Sequence, residues 1–212
     1  MPSPHAGLLI DAGGVLTTDL FASFDAFCAG AGLPETSFLR MYRESPEMAA
    51  LLHRLELGEL DHEQAEPQLA RLLGLPPERA RGLFAALYSE VGLVPEMTAA
   101  VQGLHDAGVR TGLLSNSWWF PIYEDAFYER AFDVQLISGR CGVRKPDRRM
   151  FELGLEALGL TPQRVVFVDD FEENLEAAAA LGMTVALHDP ADPGRTVREL
   201  ERLFAIPLSV SG

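Results

Sequence analysis

The chain has little cysteine, little positive charge and no long apolar run, and each shortage removes a class of function. Its two cysteines, Cys28 and Cys141, lie far apart and form no CxxC pair. A thiol redox motif or a zinc ribbon is therefore excluded, and a reduced pair is expected rather than a structural disulfide. The five histidines (His5, His53, His62, His105 and His188) show no HxxxH-type spacing, so surface or packing roles are expected for each. Lys and Arg number 17 against 31 Asp and Glu, a formal net charge of −14. No basic stripe exists to neutralise a nucleic-acid backbone, so nucleic acid is not expected as a partner. No apolar run approaches the roughly 20 residues that a membrane-spanning helix needs. Residues 1–6 carry no basic region ahead of an apolar stretch, so no secretory leader is expected and the expected location is cytoplasmic.

What is present is ordinary in bulk and informative in order. Hydrophobic residues make up 48% of the 212 residues and charged residues 23%, the balance of a globular protein with room for one sizeable core or a core with an inserted module. Short apolar runs recur at 8–10, 109–114, 134–137, 165–168 and 184–187. Helical stretches separate them, among them 97–107, 150–158 and 175–181. Continuous apolar strands alternating with helices predict an α/β fold with a parallel sheet covered on both faces. Pro95 and Gly108, Pro146-Asp147 and Gly159, and Gly182 mark helix ends.

Residues 17–92 read differently. Helical segments at 20–29, 35–42, 62–73 and 78–89 are broken by Gly-Leu-Pro, Ser-Pro, Leu-Gly-Glu-Leu-Asp and Leu-Pro-Pro, with no convincing strand among them. This predicts an all-helical insertion after the first strand, 17–92, into a core made of 1–16 and 93–212.

Each apolar run delivers a polar group at its end: Asp11, Ser115, Ser138, Asp169-Asp170 and His188. Open parallel sheets bind ligands outside the carboxyl ends of their strands, so these groups converge on one edge. Asp11 is followed by Gly13 and Gly14, which permit a tight turn directly after the carboxylate. Asp169 and Asp170 open a helix, where acidic residues also serve as plain caps and dipole partners. Taken together the carboxylates suit a hard cation such as Mg²⁺, which takes oxygen ligands. Lys145, in Gly-Val-Arg-Lys-Pro-Asp, is placed to hold a carboxylate and a phosphate as a compact charge, though a solvated lysine fits the same context. Ser115, Asn116 and Ser117 offer hydroxyl and amide donors to a phosphate oxygen, or a turn.

The segments LLIDAGGVLT, LLSNS, GVRKPD and VVFVDDFEENLEAA, in this order, resemble the four motifs of the haloacid dehalogenase superfamily, and the resemblance covers nearly the whole chain. It is nearest to the phosphatases with a helical cap after the first motif, such as bacterial sugar-1-phosphate phosphatases and the N-terminal phosphatase domain of soluble epoxide hydrolases. The resemblance implies a Rossmann-like sheet of strand order 5-4-1-2-3 beneath the cap, and a small phosphorylated substrate. It implies Asp11 as the nucleophile that becomes an aspartyl-phosphate, with Ser115 and Lys145 stabilising the transferring phosphoryl group. Asn116, Ser117 and Gly14 are the implied substrate-binding positions. Asp11, the carbonyl of Gly13 and Asp170 are the implied Mg²⁺ ligands, supported by Asp169 and Asn174. Monomer and homodimer stand equally open.

One departure matters. Many such phosphatases carry a second aspartate two positions after the nucleophile as general acid and base, and this chain has Gly13 there. General acid–base catalysis contributes about 10²–10⁴-fold. Three readings follow: substrates with good leaving groups, such as anomeric sugar or acyl phosphates; a substitute acid such as Asp19 or a cap side chain; or a catalytically weak binding protein. The dehalogenases of the superfamily also lack this aspartate, but retention of Asp170 favours phosphate over a 2-haloacid. Over the site, Trp118, Trp119 and Phe120 are expected to be buried. Tyr42, Arg43 and His53 are polar groups within reach of a substrate, or a solvated helix face.

Overall fold

The computed structural model describes residues 3–33, 38–118 and 120–208. Five strands, β1 (Gly7–Ile10), β2 (Arg110–Ser115), β3 (Val134–Ile137), β4 (Val165–Asp169) and β5 (Thr184–Leu187), form one sheet in the order β3-β2-β1-β4-β5. All pairings are parallel. This is the order 5-4-1-2-3 read from the opposite edge, with β1 at the centre.

The apolar runs are continuous because both faces of the sheet are covered. From β1 and β4, Leu8, Ile10, Val166 and Val168 pack into one hydrophobic cluster, while Leu9, Val165 and Phe167 pack into another on the opposite face. Side chains alternate along a strand, so a one-residue slip would exchange the two sets. The insertion contributes α1 (Leu20–Gly30), α2 (Phe38–Glu44), α3 (Pro46–Glu56), α4 (His62–Leu72) and α5 (Leu83–Leu87). The core helices are α6 (Pro95–Asp106), α7 (Ala126–Ala131), α8 (Ser138–Cys141), α9 (Arg148–Leu158), α10 (Glu172–Ala180) and α11 (Pro193–Phe204). Helix α6 packs against α11, and α9 against β2 and β3.

Helices α1–α5 bury a cluster of their own, including Phe24, Phe38, Met48, Leu52, Leu69 and Phe84. The chain enters and leaves this insertion side by side: Thr17 bridges Leu93, the Thr18 amide donates to the Gly92 carbonyl at 2.8 Å, and the Val94 amide to the Leu16 carbonyl at 2.8 Å. Among the described residues no helix is long and apolar enough to cross a membrane.

Three sequence expectations need correction. Ser45-Pro46 does not break a helix but starts one: the Ser45 hydroxyl accepts the Met48 amide and Pro46 occupies the first turn of α3. The helix expected over 78–89 is a 3-10 turn (Pro77–Arg79) and the short α5, separated at Gly82, whose φ of +75° ends helical geometry. Helices α7 and α11 were not expected; Asp125 and Asp192 cap them. Residues 35–37, part of the segment expected to open α2, lie outside the described residues.

Candidate active site

Asp11 follows β1 directly, and Asp169 and Asp170 sit at the end of the adjacent β4, so parallel pairing brings the carboxylates together. One oxygen from each of Asp11, Asp169 and Asp170 lies within 4.8 Å of the others. Lys145, from the loop after α8, holds the first two apart: its Nζ is 2.9 Å from Asp11 Oδ1 and 2.6 Å from Asp169 Oδ2. The lysine side chain is wholly buried. It is also the only lysine in the chain.

The loop that carries Lys145 is fixed by Asn116. Asn116 Oδ1 accepts the Lys145 amide at 2.8 Å, and its Nδ2 donates to the Lys145 carbonyl at 2.9 Å. The Asn116 amide expected to bind substrate is thus committed to the lysine backbone. Asp169 is equally committed: its Oδ1 accepts the Phe171 amide at 2.9 Å and Asn174 Nδ2 at 3.0 Å. Asn174 therefore ties the start of α10 to the end of β4.

Asp11 and Asp170 remain for chemistry. The two donors that reach Asp11, Lys145 Nζ and the Ala12 amide at 2.7 Å, both fall on Oδ1. Asp170 Oδ1 is buried with no hydrogen-bond partner among the described residues. Burial raises the Asp11 carboxyl to about 6, against the pull of Lys145. Burial, reinforced by the Asp11 and Asp169 charges, raises Asp170 to about 8. Burial alone would lower Lys145, but the Asp11 and Asp169 carboxylates outweigh it and hold the ammonium above its ordinary value. A crowd of carboxylates with one ammonium, and one oxygen left without a donor, has the donor set of a hard-cation site.

The turn after Asp11 shapes this pocket. Gly14 has φ +74°, and a Cβ there would lie 2.6 Å from Asp170 Oδ2, so both backbone and space demand glycine. A Cβ on Gly13 would meet Leu20 Cδ1 at 2.7 Å. An apolar side chain thus fills the direction in which a second aspartate would project. Asp19 does not replace it: exposed, it caps α1 by accepting the Phe21 and Ala22 amides.

Ser115, Asn116 and Ser117 divide. Asn116 lines the cleft with Asp11, Gly13, Gly14, Lys145, Asp170 and Asn174. Ser115 Oγ is fully buried and hydrogen-bonded to the Tyr123 hydroxyl at 2.9 Å. The Ser117 amide donates to Ser138 Oγ at 3.1 Å, and Ser117 borders a separate cavity beside His62 and Gly139. Ser138 and His188 are structural; His188 is buried and bonded to the Asp169 carbonyl and Thr196.

The upper wall comes from the insertion and the loop after β2. Leu20, Phe21, Tyr42, Glu56, Tyr88 and Trp118 line it, with Arg144, Phe171 and Glu173 from the core. Trp118 is buried within the insertion's own hydrophobic cluster, and Trp119 and the Phe120 side chain lie outside the description. Tyr42 is no solvated residue: its hydroxyl is 3.2 Å from His53 Nε2. Arg43 lies over the Phe171 ring. Sequence reading missed Glu56 and Arg144. Arg144 was signalled by its place beside Lys145; nothing local distinguishes Glu56 from other helix-surface glutamates.

A model of the haloacid dehalogenase-like hydrolases matches residues 5–182. The chain is 36% identical over 116 residues to acyl-CoA dehydrogenase family member 10 of Mus musculus, a match covering 54% of this chain and 11% of that protein. It is 30% identical over 153 residues to the sesquiterpene phosphatase astK of Aspergillus oryzae, covering 71% of this chain and 77% of that one. A solved structure of the HAD family enzyme bt-2542 from Bacteroides thetaiotaomicron, an Asp12Ala mutant in complex with magnesium and inorganic phosphate, superposes with a TM-score of 0.68 at 21% identity. That match covers 88% of this chain and 95% of the other, and shows a shared fold.

Proposed function

Since the chain belongs to the haloacid dehalogenase-like hydrolases, we propose that it is a Mg²⁺-dependent phosphohydrolase acting on a small phosphorylated metabolite through an aspartyl-phosphate on Asp11. The observation that carries this reading is the division of labour among the carboxylates. Asp169 is fully engaged by Lys145, Phe171 and Asn174. Asp11 takes its donors on Oδ1, which leaves Oδ2 as the attacking oxygen.

Oδ2 attacks phosphorus in line, the phosphorus–ester oxygen bond breaks, and the alcohol leaves. Water then attacks the phosphorus of the acyl phosphate, releasing orthophosphate and restoring the Asp11 carboxylate. Lys145 orients the nucleophile and offsets charge gathering on the phosphoryl oxygens. Asn116 and Asn174 act through others, the first holding the Lys145 backbone and the second Asp169. In this reading Ser115 supports the β2 loop through Tyr123, and reaches the phosphoryl group only after leaving that bond. Bound Mg²⁺, held by Asp11, Asp170 and the Gly13 carbonyl, would offset the repulsion between carboxylate and phosphate. The relatives that act on phosphate, such as the sesquiterpene phosphatase, support the reaction class.

With Leu20 against Gly13, no side chain at that position protonates the leaving oxygen. The reading therefore favours leaving groups stable without that proton, such as anomeric sugar phosphates, over primary alkyl phosphates. We further take 17–92 to be a cap that closes over the cleft and excludes water. The test is a phosphate-release screen of wild type and Asp11→Asn, with Mg²⁺ and with chelator. Release by wild type with Mg²⁺ alone is expected; release by Asp11→Asn removes the covalent mechanism, and metal-independent halide release would point to a dehalogenase.

A further inference from the structure

The roof of the cleft holds an ion pair that phosphoryl transfer does not use. Glu56 ends α3, and its side chain is 3% exposed. Its Oε1 accepts Trp118 Nε1 at 2.6 Å, and its Oε2 accepts Arg144 Nε. Arg144 also reaches the Tyr42 hydroxyl at 3.4 Å. A buried carboxylate that takes a donor on each oxygen is the arrangement that stabilises the charged acid.

Charge accounting over the cleft follows. Two cations line it. Lys145 is paired with Asp11 and Asp169, and Arg144 with Glu56. The other charged groups on the lining, Asp170 and Glu173, are acidic. The remaining wall is aromatic, from Phe21, Tyr42, Tyr88, Trp118 and Phe171. A second anionic group on the substrate, beyond the phosphate, would meet Glu56 or Glu173 in a partly dry cleft, and Arg144 would answer it only by giving up a buried partner. Like-charge juxtaposition and unpaired buried charge are effective means of rejection.

We propose that Glu56 is a specificity-determining residue: by holding Arg144 it denies a cation to any second anionic group, and restricts the enzyme to phosphate monoesters whose organic part is uncharged and presents a flat apolar face. A sugar ring and an aryl group share that chemistry. The inference rests on the phosphohydrolase reading of Asp11, and its test separates the two.

Two uncharged-moiety esters, glucose 1-phosphate and phenyl phosphate, are compared with two carboxylate-bearing ones, phosphoglycolate and 2-phosphoglycerate. Wild type with Mg²⁺ is expected to favour at least one uncharged ester over both carboxylates by about 10²-fold or more in kcat/KM, the scale of a mismatched polar site. Glu56→Gln keeps an oxygen for Trp118 but removes the negative charge. It is expected to narrow that gap by about tenfold or more through a lower KM for the carboxylates, as expected when a repulsive element is removed. Adding Arg144→Met to Glu56→Gln is expected to restore the gap. Calorimetric Kd values on Asp11→Asn give the same ranking without turnover. If no ester is hydrolysed, the Asp11 reading fails while the Kd order still decides this one. Carboxylate esters that bind wild type or Asp11→Asn as well as the uncharged ones overturn the proposal, as does a gap unmoved in folded Glu56→Gln. Should that variant not fold, the wild-type ranking and the Kd order stand alone as the decision.

Discussion

The floor and the roof of the cleft are built on opposite plans. The floor is a set of charges fixed by one another: Lys145 between Asp11 and Asp169, Asp169 tied to α10 through Phe171 and Asn174, Asn116 clamping the lysine loop. The roof is aromatic, drawn from α1, α2 and the loop after β2, with a single buried carboxylate fastened to Trp118 and Arg144. A floor so over-determined holds reacting atoms in place, whereas a roof made of side-chain packing sorts what lies beneath it. Changes to the floor are therefore expected in kcat and changes to the roof in KM and substrate ranking.

The sharpest way to break this division is Asp11→Asn, expected to reduce kcat by about 10⁴-fold or more, the scale of losing a nucleophile. A loss seen mainly in KM would mean that Asp11 only binds. Next comes Lys145→Arg. A chain that uses arginine for every other fixed cation keeps lysine here, where a compact ammonium fits between two carboxylates and a planar guanidinium does not. A fall in kcat of roughly 10²–10³-fold is expected with Mg²⁺ present, comparable to removing one oriented donor. Full activity in Lys145→Arg would show that charge alone suffices.

Asp170 tests the metal side of the floor by stability. Its folded pKa, raised to about 8, lies above its model value of 3.8. The metal-free protein is therefore expected to hold this contribution below that model value and lose stability as pH rises toward about 8. Tm of chelated wild type should fall across that window, Mg²⁺ should raise it most at the alkaline end, and Asp170→Asn should flatten both responses. A Tm unaffected by Mg²⁺ at pH 8 would place the cation elsewhere. The smallest effect belongs to the roof: Trp118→Phe removes the donor to Glu56, a buried polar loss of about 1–3 kcal/mol. It should lower Tm and raise KM while leaving kcat within about threefold, since remote packing contributes to uniform binding.

The same contrast governs what the sequence discloses. The floor was legible because each strand ends in its functional residue: Asp11, Ser115 and Asp169-Asp170 stand directly after apolar runs, and parallel order does the rest. Its details were not. Asn116 was expected on the substrate but holds the Lys145 backbone, a role set by a loop 29 residues away that no local pattern encodes. The uniqueness of Lys145 was in plain view in the composition. The roof was nearly illegible, since α3 begins at a Ser-Pro that reads equally as a break, and Glu56 acquires its role only when α3 docks against Trp118 and Arg144. Gly13 showed that an acid is missing; only the fold showed Leu20 occupying its place.

The account stands most directly on a covalent bond between Asp11 and phosphorus. Wild-type protein turning over a hydrolysed ester with Mg²⁺ would be quenched in acid, digested with pepsin and analysed by mass spectrometry. A phosphorylated peptide is expected with the modification on Asp11, absent from Asp11→Asn. Phosphate on another residue, in a sample with measured turnover, would contradict it.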